Sequence, residues 1–147
     1  PSPTFKAIGA DNVATGSMAG MRLIHALRSA LGPRLNVWPF DRVDPHRLEE
    51  PAMVLVEIFP SYYFHLAGFN PAKNAAADPA FMSAALAAYG SAGVGSDFSP
   101  RGADADEADA LISAAALRHF AGRPDSWTAP PAAASEGWIF GVPAQDG

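Results

Sequence analysis

The sequence predicts an α/β fold for residues 1–147, built as a single domain in which strands and helices alternate. Two observations indicate this fold: apolar residues recur at helical spacing in several segments, and short apolar runs of strand length lie between those segments. Strands interleaved with helices favour a sheet with helices packed against it. A length of 147 residues and a hydrophobic content of 49% fit one globular domain.

The first part of the chain contributes a predicted helix and a predicted strand. The short mixed run Thr4–Ile8 is compatible with a strand. Ser17 is a residue type that caps helices, and apolar residues follow it at helical spacing up to a Gly-Pro pair, so we predict a helix over about Met18–Leu31. Leu35–Phe40 predicts a short strand that lies at an edge or ends at its proline, because proline cannot donate to the ladder.

The rest of the chain continues the alternation. Met53–Phe59 is the strongest strand, a near-continuous apolar run that is typical of a strand covered on both faces. We then predict a short aromatic-rich helix at Ser61–Ala67 and an alanine-rich helix at Pro79–Tyr89. The last long helix is predicted at Asp104–Ala121, and Trp138–Val142 is predicted to be a short final strand or apolar clamp.

Composition excludes several classes of protein and site. The chain has no cysteine, so it has no disulfides and no thiolate metal ligands. No apolar stretch approaches the ~20 residues of a membrane span, and no signal peptide is visible, so we expect a cytoplasmic protein without a membrane partner. A net charge of −5 argues against nucleic-acid binding by a general basic surface, although an acidic site that recruits metal ions could still meet phosphate.

Glu57 is a lone carboxylate inside the strongest predicted strand. Alternation along the strand places it on the same face as Leu55 and Phe59. A buried, unpaired carboxylate is costly, so Glu57 must reach solvent, a partner or a metal ion. Two interpretations stand: a rim glutamate that is solvated or paired with an arginine, or a functional residue at the carboxyl end of a strand, where ligands gather in open α/β sheets.

Three further carboxylates, Asp106, Glu107 and Asp109, begin the last long helix. Asp106 and Asp109 are separated by about 60° around the helix axis and are predicted to lie on its sheet-facing side, whereas Glu107 points elsewhere. One interpretation is a capping box between Asp104 and Glu107, with the other acids complementing the helix dipole. The second is a metal site, because Mg²⁺ prefers hard oxygen ligands, and both interpretations can hold together.

Five segments of the chain resemble a known family in their order of appearance. They are Gly16–Met21, Val37–Asp41, Val54–Ser61, Asp106–Leu111 and Glu136–Gly141. Together they resemble the later part of an uncharacterised bacterial family of predicted RNase H-like nucleases, which is related in fold to Holliday-junction resolvases. The similarity spans most of the chain, and its specificity lies in the order of the segments.

The resemblance implies a mixed β-sheet flanked by helices, with carboxylates that hold one or two Mg²⁺ or Mn²⁺ ions for hydrolysis of nucleic-acid phosphodiesters. Glu57 matches the acid that the family fold places on a middle strand. Asp106 and Asp109 match the acids of its late helix. By this resemblance, the expected catalytic and metal-binding residues are Glu57, Asp106 and Asp109.

The chain departs from the family at the opening strand. No apolar strand carrying an aspartate is found, and Asp11 lies in a polar, glycine-flanked context. We therefore expect the N-terminal strands of the fold to be missing and the metal site to be incomplete without a second chain or a further segment. The leading hypothesis is a metal-dependent nuclease domain. The alternative is a non-catalytic α/β module that forms a homodimer or binds a partner, since a missing strand leaves a sheet edge or apolar face to be covered.

Overall fold

The computed structural model of the chain describes residues 14–44, 52–70, 78–100 and 106–144. These ranges contain several helices and a small parallel sheet, so the α/β prediction is confirmed in this general sense. The helices are α1 (Ala14–Leu31), α2 (Pro60–Leu66), α3 (Pro79–Ala88), α4 (Asp106–Ala121) and α5 (Ala133–Glu136), and the strands are β1 (Leu35–Val37) and β2 (Met53–Leu55). Short 3₁₀ helices cover Gly32–Arg34 and Pro124–Trp127.

The sheet is smaller than the sequence predicts. β1 and β2 pair in parallel, with Leu35 opposite Met53 and Val37 opposite Leu55. One further parallel bridge joins Glu57 to Ile139, within the predicted final segment. Within the described ranges every strand pair is parallel, so the mixed sheet implied by the family resemblance is not seen there.

Most helix bounds lie within one residue of the prediction, and the larger difference is at the start of α1. α1 covers Ala14–Leu31, so Ser17 lies inside the helix and does not cap it. α3 begins at a proline, and the Asp78 side chain caps it by accepting a hydrogen bond of 3.0 Å from the Ala80 amide. The predicted Thr4–Ile8 strand and Asp104, the proposed capping residue of α4, lie outside the described residues.

The hydrophobic core lies among α2, α3 and α4. Its largest fully buried side chains include Tyr63, Phe64, Met82 and Ile112. The buried side of α4 packs against α2 and α3, so the prediction that this side faces the sheet is wrong. The sequence pattern identifies an inner side of a helix, but it does not identify the element that covers it.

An aromatic layer connects this core to the sheet. The Phe140 ring packs edge-on against Trp38, with ring centroids 5.2 Å apart, and lies 4.7 Å from the ring of Trp127. The Tyr63 hydroxyl donates a buried hydrogen bond of 2.8 Å to the Phe140 carbonyl oxygen. Phe140 is therefore the residue through which the C-terminal segment joins sheet and helices.

Candidate functional site

The two faces of the sheet contact different elements. The Trp38 ring lies on the face that meets Phe140, and the residue also borders the groove beside α1. Val37 and Leu55 are paired in register, so their side chains share the opposite face, and both line a groove beside α1. Glu57 follows Leu55 by two residues and also lines this groove. Its carboxylate therefore extends from the α1 side of the sheet.

The Glu57 side chain is exposed at the end of the groove. A β-carbon built on Gly137 would lie 3.9 Å from Oε2 of Glu57 and 3.7 Å from Cζ of Phe40, so the glycine forms part of the wall between these two groups. In the part of the chain that the structure describes, no arginine or lysine forms an ion pair with Glu57. The described contacts therefore favour a solvated carboxylate over an arginine-paired one, and an accessible carboxylate is compatible with both the rim and the functional interpretation.

Asp106 and Asp109 occupy the first turn of α4, and both side chains are exposed. Partial burial, and secondly the negative charge of Asp106, raise the pKa of the Asp109 carboxyl above its ordinary value. The two aspartates are therefore close enough to interact, as their spacing predicts. Glu107, in the same turn, is also exposed.

The structure does not gather Glu57 with these two aspartates. The Glu57 carbonyl bonds to the Phe140 amide, and the neighbouring Gly141 lies against Phe120 near the end of α4. Asp109 precedes Phe120 by eleven residues, which corresponds to about 16 Å along a helix. The Glu57 carboxylate also extends from the face of the sheet opposite the helical core.

The three predicted ligands do not form a site for a divalent ion. Over residues 14–44, 52–70, 78–100 and 106–144, no group of three or more His, Cys, Asp or Glu side chains is placed to hold a metal ion. Glu57, Asp106 and Asp109 do not fit one ion as a set, because Mg²⁺ requires its protein oxygens to converge around one point. No hydrolytic step follows from this arrangement.

The α1 groove, a cavity of about 500 Å³, lies between α1 and the sheet. This volume lies within the range of ~300 to 1,000 Å³ found for ligand pockets. Its walls are mostly apolar, and Glu57 is the ionisable residue among its described lining. The side chains that shape it include Met21, Leu23, Ile24, Leu27, Phe40, Leu55 and Trp138.

α1 itself is only half docked against the sheet. Met21 and Leu23 border an arc about 160° wide around the helix, here called the apolar arc, which contains Ile24 and Leu27 and, next to Met21, also Arg28. None of the side chains of residues 17–31 is buried. Met21 is 70% exposed and Leu23 is 60% exposed. A helix that covers a completed core buries its apolar stripe, so the arc of α1 has unused apolar surface.

Asp41 is a structural residue that the sequence analysis named only as the last residue of the segment Val37–Asp41. Its Oδ2 accepts a hydrogen bond of 2.7 Å from the Val37 amide, and its own amide donates to the Val37 carbonyl at 2.8 Å. Arg28 of α1 also donates to this oxygen at 2.7 Å. Asp41 therefore closes the outer edge of β1. The sequence did contain a signal for this role: Asp41 follows a predicted strand and a proline-containing turn, and aspartate side chains in turns often accept hydrogen bonds from nearby backbone amides.

Comparisons of the chain with protein-family models, with curated proteins and with solved structures find no match. Among the helices described, none is long and apolar enough to cross a membrane. The geometry of the chain itself therefore carries the functional interpretation, and its two candidate features are the α1 groove and the aspartate pair of α4.

Proposed function

We propose that the chain is an association module, which acts by burying the α1 groove against another polypeptide. One observation carries this proposal: the apolar arc of α1 stays half exposed, although it borders a groove lined by apolar and aromatic side chains. A large exposed apolar surface is characteristic of an interaction site. The alternative hypothesis drawn from the sequence, a module that works by association, is thus the function that the geometry favours.

The groove contains the side-chain types that contribute most to protein interfaces. Trp138 and Phe40 offer rigid aromatic surface, and Met21 offers an adaptable apolar side chain. Full burial of one large apolar side chain contributes roughly 1.5 to 3 kcal/mol. Met21 and Leu23 are more than half exposed. Their transfer from water onto a partner supplies a driving force for association.

A selection of random peptides displayed on phage against the purified chain tests this function. We expect enriched peptides whose binding weakens at least about tenfold in Met21→Glu, because a carboxylate buried in an apolar interface is costly. Ala26→Glu is the matched control, since Ala26 is exposed and lies outside the apolar arc of the same helix. A selection without enrichment, or peptides that bind both variants equally, would contradict the proposal.

An RNase H-like, metal-dependent nuclease is a second proposal with narrower support. The order of the sequence segments and the interacting pair Asp106 and Asp109 support it. Because Glu57 lies on the other side of the sheet, a Mg²⁺ or Mn²⁺ centre on this pair needs ligands from outside the described residues. The expected outcome is cleavage of DNA or RNA in the presence of Mn²⁺ that is lost in Asp109→Asn. Equal activity of the variant would remove the aspartate pair from the mechanism.

A further inference from the structure

The position of β2 in the sheet disagrees with its sequence. Val54, Leu55 and Val56 belong to a near-continuous apolar run, which is typical of a central strand with neighbours on both sides. In the structure these three residues are only half buried. Within the described ranges, β2 also pairs only with β1, in a sheet of two strands. Sheets this small are marginal by themselves, and parallel pairs normally belong to larger covered sheets.

Hydrogen bonding shows which edge of β2 is used. The Trp38 amide donates to the Leu55 carbonyl at 3.0 Å, and the Phe140 amide donates to the Glu57 carbonyl at 3.0 Å. Residues two apart in a strand direct their backbone polar groups to the same edge. Residues 139 and 140 therefore pair with the same edge of the β2 segment as β1, beyond the point where β1 turns away.

Among the described residues, none pairs with the opposite edge of the β2 segment. By the same alternation, Val54 and Val56 direct their N–H and C=O groups away from β1. Across this edge they form no backbone hydrogen bond with any residue of the described ranges. The outer edge of β1 differs, because Asp41 already occupies the Val37 amide and carbonyl. A strand added to the sheet would therefore form its backbone hydrogen bonds with Val54 and Val56 of the β2 segment.

We propose that a second copy of the chain pairs its β2 with this edge in antiparallel orientation, around a two-fold axis at Leu55. This inference goes beyond the proposed function, because it places a second association surface at the β2 edge and names a second copy of the chain as the partner of that edge. Closed two-fold symmetry is the commonest arrangement of identical subunits. A two-fold axis perpendicular to the strands makes equivalent strands run antiparallel, so the symmetry itself sets the strand direction.

The sequence of β2 is self-complementary in this register. Val54 lies opposite Val56 of the second copy, and the two exchange N–H···O=C bonds. Met53 lies opposite Glu57, whereas a register that places Glu57 opposite its own copy brings like charges together. Pairs of β-branched residues across strands are favourable. The register centred on Leu55 therefore combines the open backbone groups with valine pairs and avoids the charge conflict.

Exposed apolar residues flank the same strand. Met53 at the start of the apolar run is 43% exposed, and Ile58 and Phe59 at its end are 42% and 48% exposed. Such exposure is unusual for the apolar residues of a strand. A strand added along this edge removes part of this surface from water at both ends. The contact also converts β2 from an edge strand into the interior strand that its sequence predicts.

A single introduced cysteine tests the register, because the chain has none of its own. In Leu55→Cys the two equivalent α-carbons form a non-hydrogen-bonded pair about 4.5 Å apart, within the range of ~4.4 to 6.8 Å for disulfides. We expect mild oxidation to give a covalent dimer. The matched control is Met53→Cys, whose equivalent positions lie about 14 Å apart along the strands. Met53 is more exposed than Leu55, so random collision predicts the opposite order of cross-linking.

Sedimentation of the wild type and of Val54→Pro provides a test that does not depend on the cysteine variants. Proline removes an outward amide without breaking a bond to β1, so we expect dimerisation to weaken at least about tenfold while the far-ultraviolet circular dichroism is kept. A monomeric wild type at high concentration, or Met53→Cys cross-linking as fast as Leu55→Cys, overturns the strand pair. Groove-dependent peptide binding in that case leaves the association function standing, so the two failures are distinguishable.

Discussion

The Phe140 amide donates a 3.0 Å hydrogen bond to the Glu57 carbonyl oxygen, and this bond fastens the C-terminal segment to the sheet. The Phe140 ring packs against Trp38, and its carbonyl accepts the Tyr63 hydroxyl. The Glu57 carboxylate extends from the opposite face into the α1 groove. The backbone of Glu57 thus serves the fold, while its side chain stays accessible.

Loss of the Tyr63 hydroxyl is expected to destabilise the chain. Tyr63→Phe removes the donor of the buried 2.8 Å bond and leaves the Phe140 carbonyl without it. An unsatisfied buried acceptor costs about 1 to 3 kcal/mol, measurable as a lower free energy of unfolding in urea. Tyr62→Phe is the matched control in the same helix, since Tyr62 is half buried and a change there within about 0.5 kcal/mol is expected. Equal losses in both variants would contradict this role of the hydroxyl.

A methyl group at Gly141 is expected to disrupt the contact between the C-terminal segment and α4. Gly141 has a φ of +81°, and an added β-carbon would lie 2.8 Å from a ring carbon of Phe120. Left-handed backbone costs an alanine roughly 1 to 2 kcal/mol, and overpacking adds about 1 to 3 kcal/mol. Gly68→Ala is the control for backbone strain alone, because its φ is +84° and no atom lies within 4 Å of the added carbon. Thermal unfolding should therefore show the larger loss for Gly141→Ala.

Asp41 and Arg28 are expected to contribute unequally, although they form one ion pair. Arg28→Ala removes an exposed interaction, which is usually worth less than about 1 kcal/mol. Asp41→Ala also leaves the Val37 amide at the β1 edge without its acceptor, at a cost of about 1 to 3 kcal/mol. Urea unfolding of the two single variants and the double variant separates the pair from the amide bond. A larger effect of Arg28→Ala would reverse this assignment.

The Asp109 carboxyl is expected to make stability depend on pH. Its pKa is raised by partial burial and by Asp106, so the folded chain holds this proton to higher pH than the unfolded chain. The associated stability is fully present below the ordinary pKa of 3.8 and is lost as pH rises through the folded pKa. As the pH rises from about 3 to 7, the free energy of unfolding of Asp109→Asn should therefore increase relative to that of the wild type. Glu107→Gln is the matched control. If Asp109→Asn instead gained stability relative to the wild type as the pH was lowered, the predicted direction of the pH dependence would be wrong.

The same variant tests metal binding by the aspartate pair. If Asp106 and Asp109 hold a divalent ion, calorimetric titration with Mn²⁺ should show an affinity at least about tenfold weaker in Asp109→Asn, because a carboxylate ligand is lost. Glu57→Gln is the control from the other side of the sheet: because the Glu57 carboxylate extends away from α4, this variant should bind Mn²⁺ as the wild type does. Mn²⁺ binding that is indistinguishable between the wild type and Asp109→Asn removes this site.

Local sequence signals predicted the helices well. The prolines at positions 60 and 79 mark the first residues of α2 and α3, because proline fits the first turn of a helix. Ser17 misled the prediction of the α1 start, since a good capping residue also occurs inside helices. β2 is shorter than the predicted Met53–Phe59 strand, because its length depends on how much of a partner strand runs beside it.

The candidate site was predictable in its parts and not in its assembly. Helical spacing correctly placed Asp106 beside Asp109, and strand alternation placed Glu57 on the face of Leu55. The groove residues Trp138 and Phe40 were not identified, because they meet α1 only through contacts between distant segments. No periodicity of a single segment encodes such a meeting.

The sequence by itself determined the kinds of element and the apolar character of β2, because these follow from interactions between residues a few positions apart. Only the tertiary structure decided that α4 buries the side of Ala108 and Ile112 rather than that of Asp106 and Asp109, that Asp41 closes one edge of the sheet and that no described residue pairs with the other edge. Those outcomes depend on which distant segments pair, and the free energy of that choice is shared among many weak contacts.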